Sequence, residues 1–200
     1  MSEARVTSGL MPAITQAELL RLDAEERWIE VEDGEIIEVE NNVPLIHVLI
    51  IQNLHLLFVA YLKNHRLGRV FTDGARFILK GTPNRVERAR KPDFAFVRRE
   101  RIADDFDWTG DFPGAPDLAV EVMSPGQTNA IISKRLAHYF EAGALEVWVI
   151  YPWHKTLWQY RRDQEAPAIY GEGDAVDTSA LFPGFALNVN DIFSVDGELA

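Results

Sequence analysis

The chain has 200 residues, 47% of them hydrophobic, enough for one globular domain around a single core, and no stretch in its middle reads as a linker. It has no cysteine, which excludes disulfides and thiolate metal sites and fits a reducing cytoplasm. A formal net charge of −11 argues against non-specific affinity for DNA, which comes from cations neutralising phosphates, and leaves room only for a local basic patch.

Residues 1–14 read as a ragged terminus, acidic and without the apolar segment of a signal peptide, ahead of one domain over residues 15–195. Thr15 and Glu18 occupy the N-cap and N3 places of a capping box, so a short helix is expected to run to Leu22 or Ala24. Residues 28–39 read as a β-hairpin turning at Asp33-Gly34, with Glu30 on its first strand. Residues 43–62 carry no formal charge, but Pro44, His47, Gln52, Asn53 and His55 interrupt them. They are therefore expected to form a long, mostly buried helix over residues 45–64 of a soluble domain, and not a membrane span. Residues 69–71 and 75–79 are expected to pair as strands. A loop carries the basic run Arg85, Arg88, Arg90, Lys91, Arg98, Arg99 and Arg101, read as a solvated cationic face. Asp93 opens a strand that ends at Val97, and residues 98–116, rich in Asp, Gly and Pro, read as a surface loop.

Residues 115–152 read as a βαβ unit. The first strand, residues 118–123, is an apolar run with Glu121 in its middle, and Ser124, Pro125 and Gly126 end it. A helix from Thr128 or Asn129 to Ala142 closes at Gly143, and residues 145–151 form a second buried strand. Beyond it come an alternating strand at residues 156–161, a short hairpin with a Phe-Pro-Gly turn within 168–187, and a half-turn of helix at 190–193. Trp153 and Trp158 offer apolar surface that would suit a homodimer.

Two carboxylates on neighbouring strands invite a chemical reading. Asp93 and Glu121 are 28 residues apart, each near a strand end, and would repel one another unless a divalent cation lay between them. Oxygen donors without cysteine point to Mg²⁺ or Mn²⁺, which can bind a phosphodiester oxygen and acidify the attacking water. The plainer alternative is an Asp that caps its strand and a Glu paired with an Arg.

Lys91-Pro92-Asp93-Phe94-Ala95-Phe96-Val97, then Ala115-Pro116-Asp117-Leu118-Ala119-Val120-Glu121-Val122-Met123-Ser124-Pro125, then a Lys/Arg, Tyr, Gly helix and Val147-Trp148-Val149-Ile150 resemble the Uma-type restriction endonuclease family of the PD-(D/E)XK nuclease superfamily. The resemblance runs from about Ala17 to Phe193 and takes in Ile29 to Glu35, His47 and Phe182 to Phe185. It implies an α/β fold, a mixed central β-sheet flanked by helices with an N-terminal β-hairpin, and a Mg²⁺-dependent site that hydrolyses DNA. By the same resemblance Asp93 and Glu121 are metal ligands, the Val122 carbonyl is a third, Glu30 completes the site, and His47 matches a family histidine of unassigned role.

The chain departs from the pattern at the cation. The simplest superfamily motif has Lys two residues after the second acid, where this chain has Met123, and the Uma-type family moves it to the next helix, four residues before the Tyr. That position here is Arg135, with Lys134 beside it. At about 100° per residue Ile132, Leu136, Tyr139 and Phe140 share one face, Arg135 flanks it, and Lys134 points away. Arg135 is therefore expected to meet Glu121, and Lys134 would serve only if the helix register shifts. A guanidinium stabilises phosphate charge but carries protons poorly. The alternative reading is thus a catalytically degenerate nuclease fold that serves as a binding or assembly module.

Overall fold

The computed structural model of the chain describes residues 13–25, 27–39, 43–72, 74–124 and 126–195. Most of the ragged terminus expected from the sequence lies outside the described residues, as does Pro125. Ile14 is already buried, and its carbonyl accepts a hydrogen bond from the Val86 amide.

Helix α1 (Gln16–Ala24) starts where its cap places it, with the Thr15 hydroxyl accepting from the Glu18 amide at 3.2 Å. The hairpin of β1 (Ile29–Glu32) and β2 (Glu35–Glu38) turns on Asp33 and Gly34 at φ values of 51° and 80°. Those left-handed angles match the twist of the strands, which is why Asp-Gly marks the turn. Strand alternation sends Ile29 and Val31 into a cluster with Leu19 and Leu22 of α1. Glu30 is thereby turned to the opposite face.

Helix α2 (Leu45–Leu62) forms as expected, but it is not mostly buried. Only 33% of it is covered, because Ile50, Leu54, Leu57 and Phe58 pack inward while Leu45, Val48, Leu56 and Val59 stay exposed. Among the described residues it is the one helix long and apolar enough to cross a membrane, and its buried stripe is that of a helix packed on a core.

Two sheets follow. The first contains β1, β2, β4 (Phe77–Thr82), β5 (Arg85–Arg90) and β7 (Phe112–Pro113) in the order β2-β1-β5-β4-β7. The second contains β3 (Gly68–Thr72), β6 (Phe94–Arg98), β8 (Leu118–Val122), β9 (Glu146–Tyr151), β10 (Thr156–Arg161) and β11 (Ala168–Tyr170) in the order β11-β10-β9-β8-β6-β3. The expected pairing of residues 69–71 with 75–79 is thus corrected, since β3 pairs with β6 and β4 with β5, in different sheets. The basic run is not all loop either: residues 85–90 are strand β5, and Arg90 and Lys91 are buried. Residues 98–116 hold a short 3-10 turn and β7, and β11 pairs back on β10, so the hairpin read within 168–187 reduces to one bridge between Ala175 and Asn188.

The βαβ unit is present as read. Helix α3 (Asn129–Glu141), capped by Thr128, connects β8 to the parallel β9. Alternation along β8 places Leu118, Val120 and Val122 against α2, and Ala119 and Met123 on the side of α3, which is the side Glu121 shares. Between the two sheets lies a cluster of Phe77, Leu79, Ala95, Val97, Ala119 and Tyr139. Near the C-terminus, α4 (Val189–Ile192) closes the α2 side.

Helix α1 is tied to this frame by charge. Arg76, buried ahead of β4, donates to Asp23 at 2.8 Å and to Asp111 at 3.0 Å. Deleting one member of such a group leaves the other charges stranded. Arg76→Ala is expected to lower unfolding free energy by about 3–5 kcal/mol, as read by urea denaturation; a loss under ~1 kcal/mol would mean that the clamp is incidental.

Candidate active site

Three strands and two helices bring polar side chains to one cleft of about 890 Å³. Glu30 enters from β1, Asp93 from just before β6, Glu121 from near the end of β8 and Arg135 from α3, with His47 of α2 also on the lining. Every site residue predicted from the sequence lines this cleft except Lys134. Lys134 is half exposed and pairs with Glu32, away from the cleft, so of the two cations offered by the sequence only Arg135 reaches Glu121.

The contacts are close and interlocked. Arg135 donates Nη1 to Glu121 Oε2 at 2.8 Å and Nη2 to Glu30 Oε2 at 3.2 Å. The Tyr139 hydroxyl, one turn along α3, donates to Glu121 Oε1 at 2.7 Å. Glu30 Oε2 also accepts from Arg90 at 2.7 Å. Asp93 Oδ2 accepts the Val122 amide at 2.6 Å, and His47 Nε2 stands 3.3 Å from Asp93 Oδ1, while the buried His47 Nδ1 has no partner among the described residues. The sequence left His47 without a role, and its place is beside Asp93.

Burial, reinforced by the Asp93 and Glu30 charges, pushes the Glu121 carboxyl up to about 7 against the pull of Arg135 and Tyr139. The same Glu121 charge raises Arg135 further above its already high ordinary value. Burial moves the Tyr139 hydroxyl upward as well, so it remains a donor. Three carboxylates thus face the cleft, with Arg135 between two of them, Arg90 also on Glu30, and Lys91 on the same lining.

Two participants were missed in the sequence. The sequence reading uses Tyr139 as the Tyr of the family's helix motif and as part of an apolar face and gives it no role at the site, although its spacing of one turn from Arg135 puts both side chains over Glu121. Arg90 was read as solvated, although it follows Ala89 in a strand and turns inward with Glu30, Glu32 and His138 around it.

The geometry can be set beside known proteins. A family model described as "Putative restriction endonuclease", Uma2, matches residues 16–190. The chain belongs to the Uma2 family. A crystal structure titled as a putative nuclease belonging to DUF820, from Anabaena variabilis, is similar at a TM-score of 0.73 and 25% sequence identity, over 90% of this chain and 97% of that one. No curated protein matches the chain. For a Uma2 member, the segments that carried the resemblance, around Asp93 and Glu121, are the ones that meet in the cleft.

Behind the cleft, His138 Nδ1 accepts from Arg90 Nη2 at 2.9 Å. Burial, with the charges of Arg90 and Arg88, lowers it from its ordinary 6.5 to about 4. The folded chain then refuses a proton that the unfolded chain accepts, so this group's contribution to stability is complete above pH 6.5 and is lost as pH falls toward 4. Urea denaturation of His138→Gln over that range is expected to show a flatter pH dependence than the parent; equal slopes would place the acid sensitivity elsewhere.

Proposed function

We propose that the chain is a Mg²⁺- or Mn²⁺-dependent endonuclease that hydrolyses phosphodiester bonds of DNA, with Asp93 and Glu121 as the ligands of the cation. The observation behind this reading is that Glu30, Asp93 and Glu121 line one cleft of a Uma2 chain, two of them, Glu30 and Glu121, held by Arg135. The donor set fits the ion. Mg²⁺ keeps several waters and needs only one or two carboxylates, so Asp93 and Glu121 suffice even though no group of three His, Asp or Glu among the described residues stands at ligating distance. Glu121 is raised chiefly by burial and then by the Asp93 and Glu30 charges, and a divalent cation between these carboxylates would favour its ionised form. The Val122 carbonyl is a further oxygen at the same place, next to an amide already fixed on Asp93.

Bound there, the cation would polarise a phosphoryl oxygen and acidify a water. The chain's own groups have separate tasks. Arg135, protonated at any working pH, offers charge to the phosphate and cannot shuttle a proton. Glu30 holds the far arm of Arg135, and Tyr139 orients Glu121. The Val122 amide and His47 fix Asp93 from two sides. A homodimer, which would bring two such clefts to one duplex, belongs to this reading by analogy.

One observation favours the second reading, a degenerate nuclease fold used as a binding or assembly module. Both oxygens of Glu121 already have partners, Arg135 and Tyr139, so the pair can be explained as packing alone. Titration calorimetry with Mg²⁺ and Mn²⁺ separates the two. The parent is expected to bind in the millimolar range or tighter and the Asp93→Ala, Glu121→Ala double variant not at all; a parent that binds neither ion moves the assignment to the module. In a cleavage assay on plasmid DNA, Asp93→Ala is expected to fall to background. Arg135→Lys is expected to gain activity, because an ammonium can exchange the proton that a guanidinium keeps.

A further inference from the structure

The positive charge of this chain is distributed against expectation. The dense run between residues 85 and 101 is spent on carboxylates: Arg88 on Asp33 and Glu141, Arg90 on Glu30, Lys91 on Asp23, Arg99 on Asp104, Arg101 on Asp117. The sparse series Lys63, Arg66, Arg69 is different. All three are exposed, and none has a carboxylate partner among the described residues. They follow the C-terminal end of α2 into β3, the outer strand of its sheet.

An aromatic side chain belongs to the same patch. Trp108, 54% exposed, lies under the Arg69 guanidinium, 5.2 Å from ring centroid to Cζ. Phe71 stacks near it at 6.5 Å and 21°, and Phe106 meets it edge-on at 4.9 Å, so the ring is held in place. The other end of β3, Thr72, lines the cleft, about 10 Å along the strand from Arg69.

We propose that Lys63, Arg66, Arg69 and Trp108 form a binding surface for a single-stranded nucleic acid segment that continues from the cleft along the edge of β3. The three cations meet successive phosphates, and an unstacked base lies against the Arg69 and Trp108 pair. Stacking on an aromatic and guanidinium platform needs a base free of its duplex, which selects a single strand. On a surface of net charge −11, attachment depends on these few unpaired cations. The continuation into the cleft rests on the nuclease reading, whereas the surface itself does not.

The test is fluorescence anisotropy of a labelled oligothymidylate of about 20 nucleotides with the full chain in EDTA, where no cleavage occurs. The parent is expected to bind, with a duplex of the same length a weaker competitor. Arg69→Ala and Trp108→Ala are each expected to weaken binding about tenfold, while Trp108→Phe, which keeps a ring, retains it. Lys63→Ala with Arg66→Ala is expected to make the salt dependence shallower by about 1.4 in log–log slope, at ~0.7 per phosphate. Unchanged affinity and slope in these variants, or a Trp108→Ala loss that is equal for duplex and single strand, overturns the proposal. Binding that persists in an Asp93→Ala chain, where the parent cleaves nothing, would leave this surface standing and the nuclease reading fallen; cleavage indifferent to the patch variants would do the reverse.

Discussion

A carboxylate in the middle of a strand covered on both faces must be answered by a counter-charge, and for Glu121 the answer comes from α3. Arg135 and Tyr139 lie one helical turn apart, so both can reach the two oxygens of Glu121 only when α3 is rotated to this phase on β8. The second arm of Arg135 reaches Glu30 on a strand of the other sheet. One guanidinium therefore fixes the roll of a helix and the approach of two sheets. Removing it would leave the buried Glu121 without a cationic partner and Glu30 with Arg90 alone, which makes the site and the fold depend on the same contact.

The same logic runs outward from the cleft. Arg90 links Glu30 to Glu32 and His138, Lys91 reaches Asp23 across the Trp28 ring, and Arg76 joins Asp23 to Asp111. Buried pairs of this kind add little net stability over apolar packing, but a chain that mispairs them leaves charges without partners. They act as constraints on which arrangement of α1, α3, β1, β5 and the segment leading into β4 is acceptable. The chain's acidity thus coexists with an interior stitched by arginine, and net charge is a poor guide to where its cations are.

Much of this was legible in residues. The Asp-Gly turn, the Thr15 cap, the βαβ unit and the position of Arg135 over Glu121 follow from local rules about backbone angles, capping and helical phase, which hold whatever the rest of the chain does. What was not legible depended on partners far away in sequence. Strands β3 and β4 are adjacent in the chain yet belong to different sheets, because β3 finds β6 while β4 finds β5. The basic run was misread for the same reason: whether Arg90 is solvated depends on Glu30, sixty residues earlier. Helix α2 shows a third kind of limit. Its near-uniform apolarity carries no phase, so the sequence could predict a helix but not which side would be covered.

The resemblance read from the sequence implies a lysine where this chain has Arg135, and the two side chains differ in what they can hold. A lysine there would place one compact charge near Glu121, free to exchange its proton, but a single ammonium has no rigid fork with which to hold two acids in fixed directions. Arg135 spans Glu121 and Glu30 with separate nitrogens at 2.8 and 3.2 Å. The substitution therefore trades proton exchange for a fixed, two-armed positive charge. For phosphoryl chemistry that trade weakens any step in which this residue would move a proton, and strengthens the part that consists of holding negative charge at a defined place. On the nuclease reading proposed above, the chain's own side chains supply the electrostatic half of the site and the acid-base half comes from water.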